Sequence, residues 1–202
     1  MKNVTTAFLL MMILLAALSG CGRLRYPAYY TLNLPAPPDP PAGESVRNSI
    51  AVREFQSPGY LRQGPIVYRA TPEEVGFYEY HRWAADPRML VTTAVVDHMR
   101  ANGQFSKVSM YDGRPNNDYV FSGRLEKLEE VDYQAGVNVE VAISAQITRV
   151  STGATVWSNA VSEMRPVSQR KVTAVVSEMN RTMDLAINKL LSTIPGALGS
   201  EQ

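Results

Sequence analysis

Alternation of apolar and polar residues is clearest between Val137 and Ile147, where every second residue is apolar. This period of two predicts a strand with one buried face and one solvated face. Alternation over 118–125 predicts the strand before it, and a Ser-Thr-Gly turn at 151–153 leads into another strand over 154–164. These three segments together predict an antiparallel meander in the C-terminal half of the chain.

Two other segments have apolar residues three and four positions apart, which is the period of a helix that buries one face. The first begins at Asp86-Pro87, an N-cap aspartate followed by a proline at the first helical position, and ends at Asn102-Gly103. The second runs from about Ser168 to Ile194, and Pro195-Gly196 ends it. The sequence therefore predicts two amphipathic helices.

The segments between residue 29 and residue 111 are shorter. Strands are expected at 29–34, 49–55 and 107–111, and an aromatic strand at 75–83. Five prolines within 35–41 predict an extended, polyproline-like crossing. A sheet with one wet face and two one-sided helices predicts an α+β two-layer sandwich. Its mixed or antiparallel sheet ends in the C-terminal meander, and both helices pack on one face.

The first 20 residues contain the three parts of an export signal in the expected order. Lys2 forms a basic head, residues 7–18 form an unbroken apolar run, and Leu18-Ser19-Gly20-Cys21 closes the segment. The run is shorter than the roughly 20 apolar residues of a transmembrane helix. Small residues before a cysteine resemble the lipobox of bacterial lipoproteins. We therefore expect diacylglycerol on the sulfur of Cys21, an N-acyl chain on its amino group, and no other cofactor.

These features divide the chain into four parts. Residues 1–20 are the lipoprotein-type signal peptide, 21–28 the lipidated tether, 29–194 the α+β domain and 195–202 a C-terminal tail. Gly22 stands where an aspartate would be the usual signal for retention at the inner membrane. We therefore expect a lipid anchor in the outer membrane, on its periplasmic face.

Composition limits the classes of function. The full chain has 20 basic and 19 acidic residues, and loss of Lys2 with the signal leaves 19 of each. This balance gives no support for nucleic-acid binding. Cys21 is the one cysteine of the chain, so the mature domain cannot form an internal disulfide and must be stabilised by its core.

The polar residues do not form a catalytic or metal-binding pattern. The two histidines, His81 and His98, have no second histidine or cysteine at ligand spacing, so we expect no metal site. The sequence shows neither a Ser-His-Asp order nor a glycine-rich phosphate loop, and we expect no catalytic residues. The charged run Glu126–Glu130 is interpreted as a solvated strand end or hairpin rim.

A short segment around Tyr60, Leu61 and Arg62 is the candidate partner contact. The turns Pro58-Gly59 and Gly64-Pro65 flank it, so the segment is expected to project with Tyr60 and Leu61 exposed. Tyrosine and arginine are enriched at the anchors of protein interfaces. In the alternative interpretation, Tyr60 and Leu61 fold back onto the aromatic strand.

Several ordered motifs resemble one protein family, the ABC-type transport auxiliary lipoproteins. They are Ser57-Pro58-Gly59-Tyr60-Leu61, Ile66-Val67-Tyr68-Arg69 and Tyr80-His81-Arg82-Trp83-Ala84, together with the lipobox and the early Tyr30-Thr31-Leu32. The resemblance covers roughly Tyr29 to Leu191. The family often has Asp-Arg-Pro after the Tyr-Leu pair, whereas this chain has Arg62-Gln63-Gly64-Pro65.

The resemblance implies a non-enzymatic accessory component of a lipid-transport system. Its partners would be an ABC permease and ATPase and a mammalian-cell-entry-type substrate-binding protein, and the chain would form a homo-oligomer. Related members are thought to form rings at the outer membrane and to receive the end of a periplasmic tunnel. One rival is a lipoprotein activator or scaffold of cell-wall biogenesis. Another is a monomeric lipid carrier, which needs an enclosed cavity between sheet and helices.

Overall fold

The alternating segments of the sequence form one mixed sheet of eight strands, and the two amphipathic segments form helices. The computed structural model describes residues 25–35, 48–133 and 136–194. A short 3-10 helix occupies Gly59–Gln63. The other elements are β1 Ala28–Tyr30, β2 Ser49–Val52, β3 Pro65–Arg69, β4 Gly76–Trp83, α1 Pro87–Ala101, β5 Lys107–Met110, β6 Tyr119–Val131, β7 Asn138–Arg149, β8 Thr155–Pro166 and α2 Val172–Leu191.

Strand β6 organises the sheet. One of its edges pairs antiparallel with β7 along its whole length, and β7 pairs antiparallel with β8, which confirms the predicted meander. The other edge is shared: the beginning of β6 pairs parallel with β2, and its end pairs parallel with β3. Beyond these, β5 pairs parallel with β2, β4 antiparallel with β3, and β1 parallel with β4.

Both helices pack against the sheet and form the second layer, so the predicted α+β two-layer architecture is confirmed. Helix α1 begins as expected, because a carboxylate oxygen of Asp86 accepts a hydrogen bond of 2.9 Å from the backbone N–H of Arg88. The apolar face of α2 packs on the meander. Its fully buried side chains are Val175, Met179, Met183, Ala186, Ile187, Leu190 and Leu191.

Polar contacts fix α2 against β8, the edge strand of the meander. Arg165 of β8 donates to Glu178 at 3.0 Å, and Lys189 donates to Glu163 of β8 at 2.7 Å. The indole N–H of Trp157 donates to the hydroxyl of Thr193 at 3.1 Å, just after the helix ends. These pairs connect residues far apart in sequence at both ends of α2, so they fix the position of the helix on the sheet.

A glycine in β6 makes room for the aromatic core. A Cβ atom at Gly123 would lie 2.2 Å from the nearest ring atom of Phe55, which is closer than any side chain allows. The ring of Phe55 stacks on Phe121, and Phe121 stacks on Trp157, with centroids 6.1 and 6.0 Å apart. The glycine therefore allows a row of three aromatic rings from the segment after β2, through β6, to β8.

Strands β1 and β6 differ clearly in length from the segments expected from the sequence. Strand β1 has three residues, and the chain then leaves the sheet edge to cross the helices, where the backbone N–H of Asn33 donates to Asn180 of α2 at 2.7 Å. Strand β6 continues six residues beyond Leu125 to Val131, because ion pairs satisfy its charged side chains. None of the helices within the described residues is long and apolar enough to span a membrane.

Candidate partner-binding surface

The segment Gly59–Gln63 does not project from the sheet. It forms a 3-10 helix beside the part of β6 that lies between its pairings with β2 and β3. The side chain of Leu61 is 1% exposed and belongs to the main hydrophobic core. The expectation that Leu61 is exposed is therefore wrong, because burial of this side chain fills the space between the two short strands.

Tyr60 is half-buried and packs on the sheet. Its hydroxyl lies 3.4 Å from the carbonyl oxygen of Glu126 and 3.3 Å from a carboxylate oxygen of Glu129, and it donates to them. The guanidinium of Arg69 lies 5.6 Å from the centroid of the Tyr60 ring. Burial, and then the negative charge of Glu129, raise the pKa of Tyr60. The structure is thus closer to the alternative interpretation, in which Tyr60 folds back onto the sheet. That interpretation expected contact with the aromatic strand, whereas Tyr60 contacts β6 and β3.

Arg62 is the one member of the candidate trio whose side chain is exposed. It lies on the 3-10 helix two residues after Tyr60, which is itself partly exposed. Any partner contact of this segment must therefore involve Arg62 and the outer part of Tyr60, with Leu61 holding the segment in place.

The residues that depart from the family pattern adopt a defined turn. Gly64 has a φ of +95°, which favours glycine, and its carbonyl accepts a 2.7 Å hydrogen bond from the N–H of Trp83. Arg82 donates to the carbonyl oxygen of Gln63 at 3.0 Å. The turn is thus attached to β4, which places the start of β3.

The sequence predicted a solvated strand end or hairpin rim at Glu126–Glu130, but only Glu126 and Lys127 of this charged run are partly exposed. The run lies within β6, where Glu129 is completely buried and Glu130 is 2% exposed. Glu129 accepts a 2.6 Å hydrogen bond from Arg69 of β3. Glu140, directly opposite Glu129 on β7, is held by Lys127 at 2.8 Å. Two cations therefore neutralise two carboxylates that would otherwise repel each other across the strand pair.

Glu130 has a different environment. The hydroxyl of Tyr78 donates to its carboxylate at 2.8 Å. Burial nevertheless dominates and raises the pKa of the Glu130 carboxyl, with the charge of Asp132 acting in the same direction. The pKa of Tyr78 is also raised, by burial first and by Glu130 next. The sequence held no signal for these contacts, because a bulge between Leu125 and Lys127 shifts the faces of the following residues.

Both histidines make structural contacts. His81 accepts from or donates to the hydroxyl of Tyr30 at 2.8 Å, which fixes β1 to β4. His98 is buried, and its two ring nitrogens contact the carbonyl oxygen of Ala94 at 2.8 Å and a carboxylate oxygen of Asp184 at 3.0 Å. It thereby connects α1 to α2. The described residues contain no group of three or more His, Cys, Asp or Glu side chains arranged to hold a metal ion.

Several open grooves lie on the outside of the two layers. On the helix side, two grooves flank the segment 31–35 where it crosses α1 and α2. On the helix-free face of the sheet, a polar groove includes Arg53, Arg124, Ser144 and Asn159. The carrier hypothesis needs a cavity between the layers, and these grooves do not supply one. Cys21, the expected acylation site, lies outside the described residues.

The mixed sheet with its two-helix layer forms an α+β domain, and the sequence before it contains the lipobox-like motif Leu18-Ser19-Gly20-Cys21. The chain belongs to a family described as the ABC-type transport auxiliary lipoprotein component, whose model matches residues 30–190. The motif resemblance found in the sequence is thereby confirmed. No curated protein matches the chain.

Solved structures share the fold. A crystal structure of protein XCC0632 from Xanthomonas campestris is 20% identical, with a TM-score of 0.75, over 87% of this chain and 100% of that one. An uncharacterised protein is 11% identical, with a TM-score of 0.66, over 84% and 99%. The hypothetical protein CT253 from Chlamydia trachomatis is 5% identical, with a TM-score of 0.53, over 77% and 100%. At these identities the likeness extends to the fold alone.

Proposed function

We propose that this protein is a non-enzymatic, lipid-anchored accessory component of an ABC transport system that moves lipid between the two membranes of the envelope. Its partners are an ABC permease and ATPase and a mammalian-cell-entry-type substrate-binding protein. The family match over residues 30–190 carries the proposal, because it covers the sheet from the end of β1 onward and nearly all of α2. The partner classes come from what that family resemblance implies.

The anchor is part of the proposal. Cys21 carries a diacylglyceryl group and an N-acyl chain, and Gly22 directs the mature protein to the periplasmic face of the outer membrane. Each buried methylene contributes about 0.8 kcal/mol, so three acyl chains hold the protein at the membrane nearly permanently. Mass spectrometry of the mature N-terminus should show the acyl groups, and a Cys21→Ala chain should lose both the acyl groups and the membrane association. Recovery with inner-membrane markers would contradict the location.

Binding of partners is the function that the surfaces of the domain support. The partly exposed Tyr60 and the exposed Arg62 lie two residues apart on a segment whose middle residue, Leu61, is buried in the core. A rigid aromatic-arginine pair is typical of interface anchors. We assign this pair to contact with a second copy of the chain or with the transport machinery.

Genetic epistasis tests the transport assignment. If the protein acts within the transporter, deleting its gene and deleting the gene for the mammalian-cell-entry-type protein should cause the same outer-membrane permeability defect. The double deletion should then be no more severe than either single deletion. Restoration by the wild-type chain and not by Cys21→Ala should show that the anchored form is the working one. Additive defects, or a defect shared with cell-wall synthase mutants, would favour the rival scaffold function.

A further inference from the structure

The two most exposed large hydrophobic side chains in the described residues lie three residues apart in the sequence, shortly after the expected anchor at Cys21. Tyr26 is 82% exposed and Tyr29 is 63% exposed. The other exposed large hydrophobic residues, such as Met89 and Met110, are scattered through the fold. Single exposed apolar residues need no explanation, whereas a local concentration of exposed aromatic rings marks a contact surface.

These tyrosines form part of a patch on the edge of the sheet, which we call the edge patch: Arg25, Tyr26, Tyr29 and Tyr80. Strand β1 pairs with β4 so that Tyr29 lies opposite Arg82, and the guanidinium of Arg25 lies 5.7 Å from the centroid of the Tyr80 ring. Glu79 supplies the neighbouring acidic group, and it raises the pKa of Tyr80. The edge patch is therefore aromatic, with a basic residue over one ring.

The length of chain before the edge patch determines what it can meet. Three residues separate Cys21 from Arg25. Even when the chain is fully extended, the four steps from Cys21 to Arg25 span at most about 14 Å. The acyl chains on Cys21 lie in the bilayer, so Arg25 and Tyr26 are held within or just above the layer of lipid headgroups. Tyrosine prefers this interface because its ring is apolar and its hydroxyl is polar, and arginine binds lipid phosphates.

We propose that the edge patch rests on the phospholipid surface of the anchoring membrane and orients the domain. This inference depends on the acylation of Cys21 stated under the proposed function. The sheet order runs from β1 through β4, β3, β6 and β7 to β8, so β8 lies at the opposite edge. At about 4.8 Å per strand, five spacings separate β8 from β1 by roughly 24 Å within the sheet. Membrane contact at β1 thus directs the edge of β8 toward the periplasm, where a partner can reach it.

Spin-label accessibility in vesicles tests this orientation in the full, acylated chain. Cys21 is the one native cysteine and its thiol is consumed by acylation, so a single new cysteine takes the label. Ala28→Cys places the label between Tyr26 and Tyr29 in the sequence and keeps both tyrosines. Ala160→Cys places the label at an exposed position of β8 and is the matched control. The protein is reconstituted in phosphatidylethanolamine and phosphatidylglycerol vesicles. Collisions with oxygen report the lipid phase, and collisions with a polar nickel complex report water.

The label at position 28 should collide more with oxygen than with the nickel complex, and the label at position 160 should show the reverse. Adding Tyr26→Ser and Tyr29→Ser to the Ala28→Cys chain should shift its label toward the aqueous profile, while the acyl chains keep the protein on the vesicles. The inference is overturned if the Ala28→Cys chain that keeps both tyrosines sediments with the vesicles and its label still shows the aqueous profile. A label shielded from both reagents also overturns it, because a protein then covers the patch. A chain that carries no acyl group and stays in the supernatant overturns the anchor, and the inference with it.

Discussion

At the scale of single residues, side chains that the sequence marked as polar or exposed stabilise the interior. Glu129 is buried with Arg69, Glu140 is buried opposite it with Lys127, and Leu61 is in the core. Breaking a buried ion pair by removing one partner is strongly destabilising, since it leaves an uncompensated charge. These residues therefore set the stability of the domain and the position of the Tyr60 segment.

Substitution at neighbouring positions separates packing from recognition in that segment. Leu61→Ser should lower the free energy of unfolding by about 2–5 kcal/mol, because it truncates a buried side chain. Arg62→Ser, on the exposed side, should change it by less than about 0.5 kcal/mol. Guanidinium unfolding of the mature chain measures both. Equal, small changes would show that Leu61 does not hold the segment against the core.

The pH dependence of stability should show the burial of Glu130. Its folded pKa is raised above the unfolded value of about 4.3, so its stabilising contribution is full below that pH and is lost as the pH rises through the folded pKa. Glu130→Gln keeps an acceptor for Tyr78 and does not ionise. The variant should therefore gain stability relative to wild type as the pH rises from about 4 toward neutral, measured by urea unfolding at fixed ionic strength.

Asp86 supplies a control of opposite sign. The hydrogen bond from Arg88 lowers its pKa in the folded protein, so its contribution is present above the unfolded value of about 3.9 and is lost as the pH falls. Asp86→Asn should be less stable than wild type at neutral pH, and the difference should vanish in acid. If both variants show the same pH trend, the burial of Glu130 does not control its titration.

At the scale of secondary structure, the sequence predicted the strongly periodic elements and most short strands, but not the length of β1 or the far half of β6. The meander and both helices were predictable because apolar residues recur at a regular spacing along each of these segments. Strand β1 and the far half of β6 depend on pairing with distant segments. Three residues of β1 are held by β4, and the charged end of β6 is held by Arg69 of β3 and by β7. No local pattern reports such contacts.

The candidate site shows the same division. The flanking turns delimit the Tyr60-Leu61-Arg62 segment in the sequence, and the structure forms it as a 3-10 helix, but the sequence did not show which side chain points inward. Which side chain points inward depends on the gap between β2 and β3 along β6. This gap exists only in the folded sheet. The parallel order of these strands cannot be derived from the alternation of residues in any of them.

The packing of α2 on the meander is testable with two substitutions on opposite faces of the helix. Ile187 is completely buried, so Ile187→Asp should unfold the domain, because an unpaired buried charge costs several kcal/mol against a total stability of about 5–15 kcal/mol. Ser177→Asp on the exposed face should leave the melting temperature nearly unchanged. Thermal unfolding followed by circular dichroism measures both. An unchanged melting temperature for Ile187→Asp would mean that this face is not core.

At the scale of the whole molecule, the sheet runs from the edge strand β1 to the edge strand β8. β1 follows the expected lipid anchor, and β8 forms the opposite edge with its 12 residues. The buried ion pairs and the α2 contacts make the sheet a rigid connection between them. Such an arrangement suits a protein that holds partners at a fixed height above a membrane, and the family to which the chain belongs serves ABC transport.

The most direct test of that function is affinity purification of the tagged, full-length chain from crosslinked cells, with Cys21→Ala as the matched control. The account predicts that a mammalian-cell-entry-type protein and the ABC permease and ATPase copurify with the wild-type chain. Their recovery should fall sharply with the unanchored variant. Recovery of cell-wall synthases without any transporter component would contradict the account and establish the rival scaffold function instead.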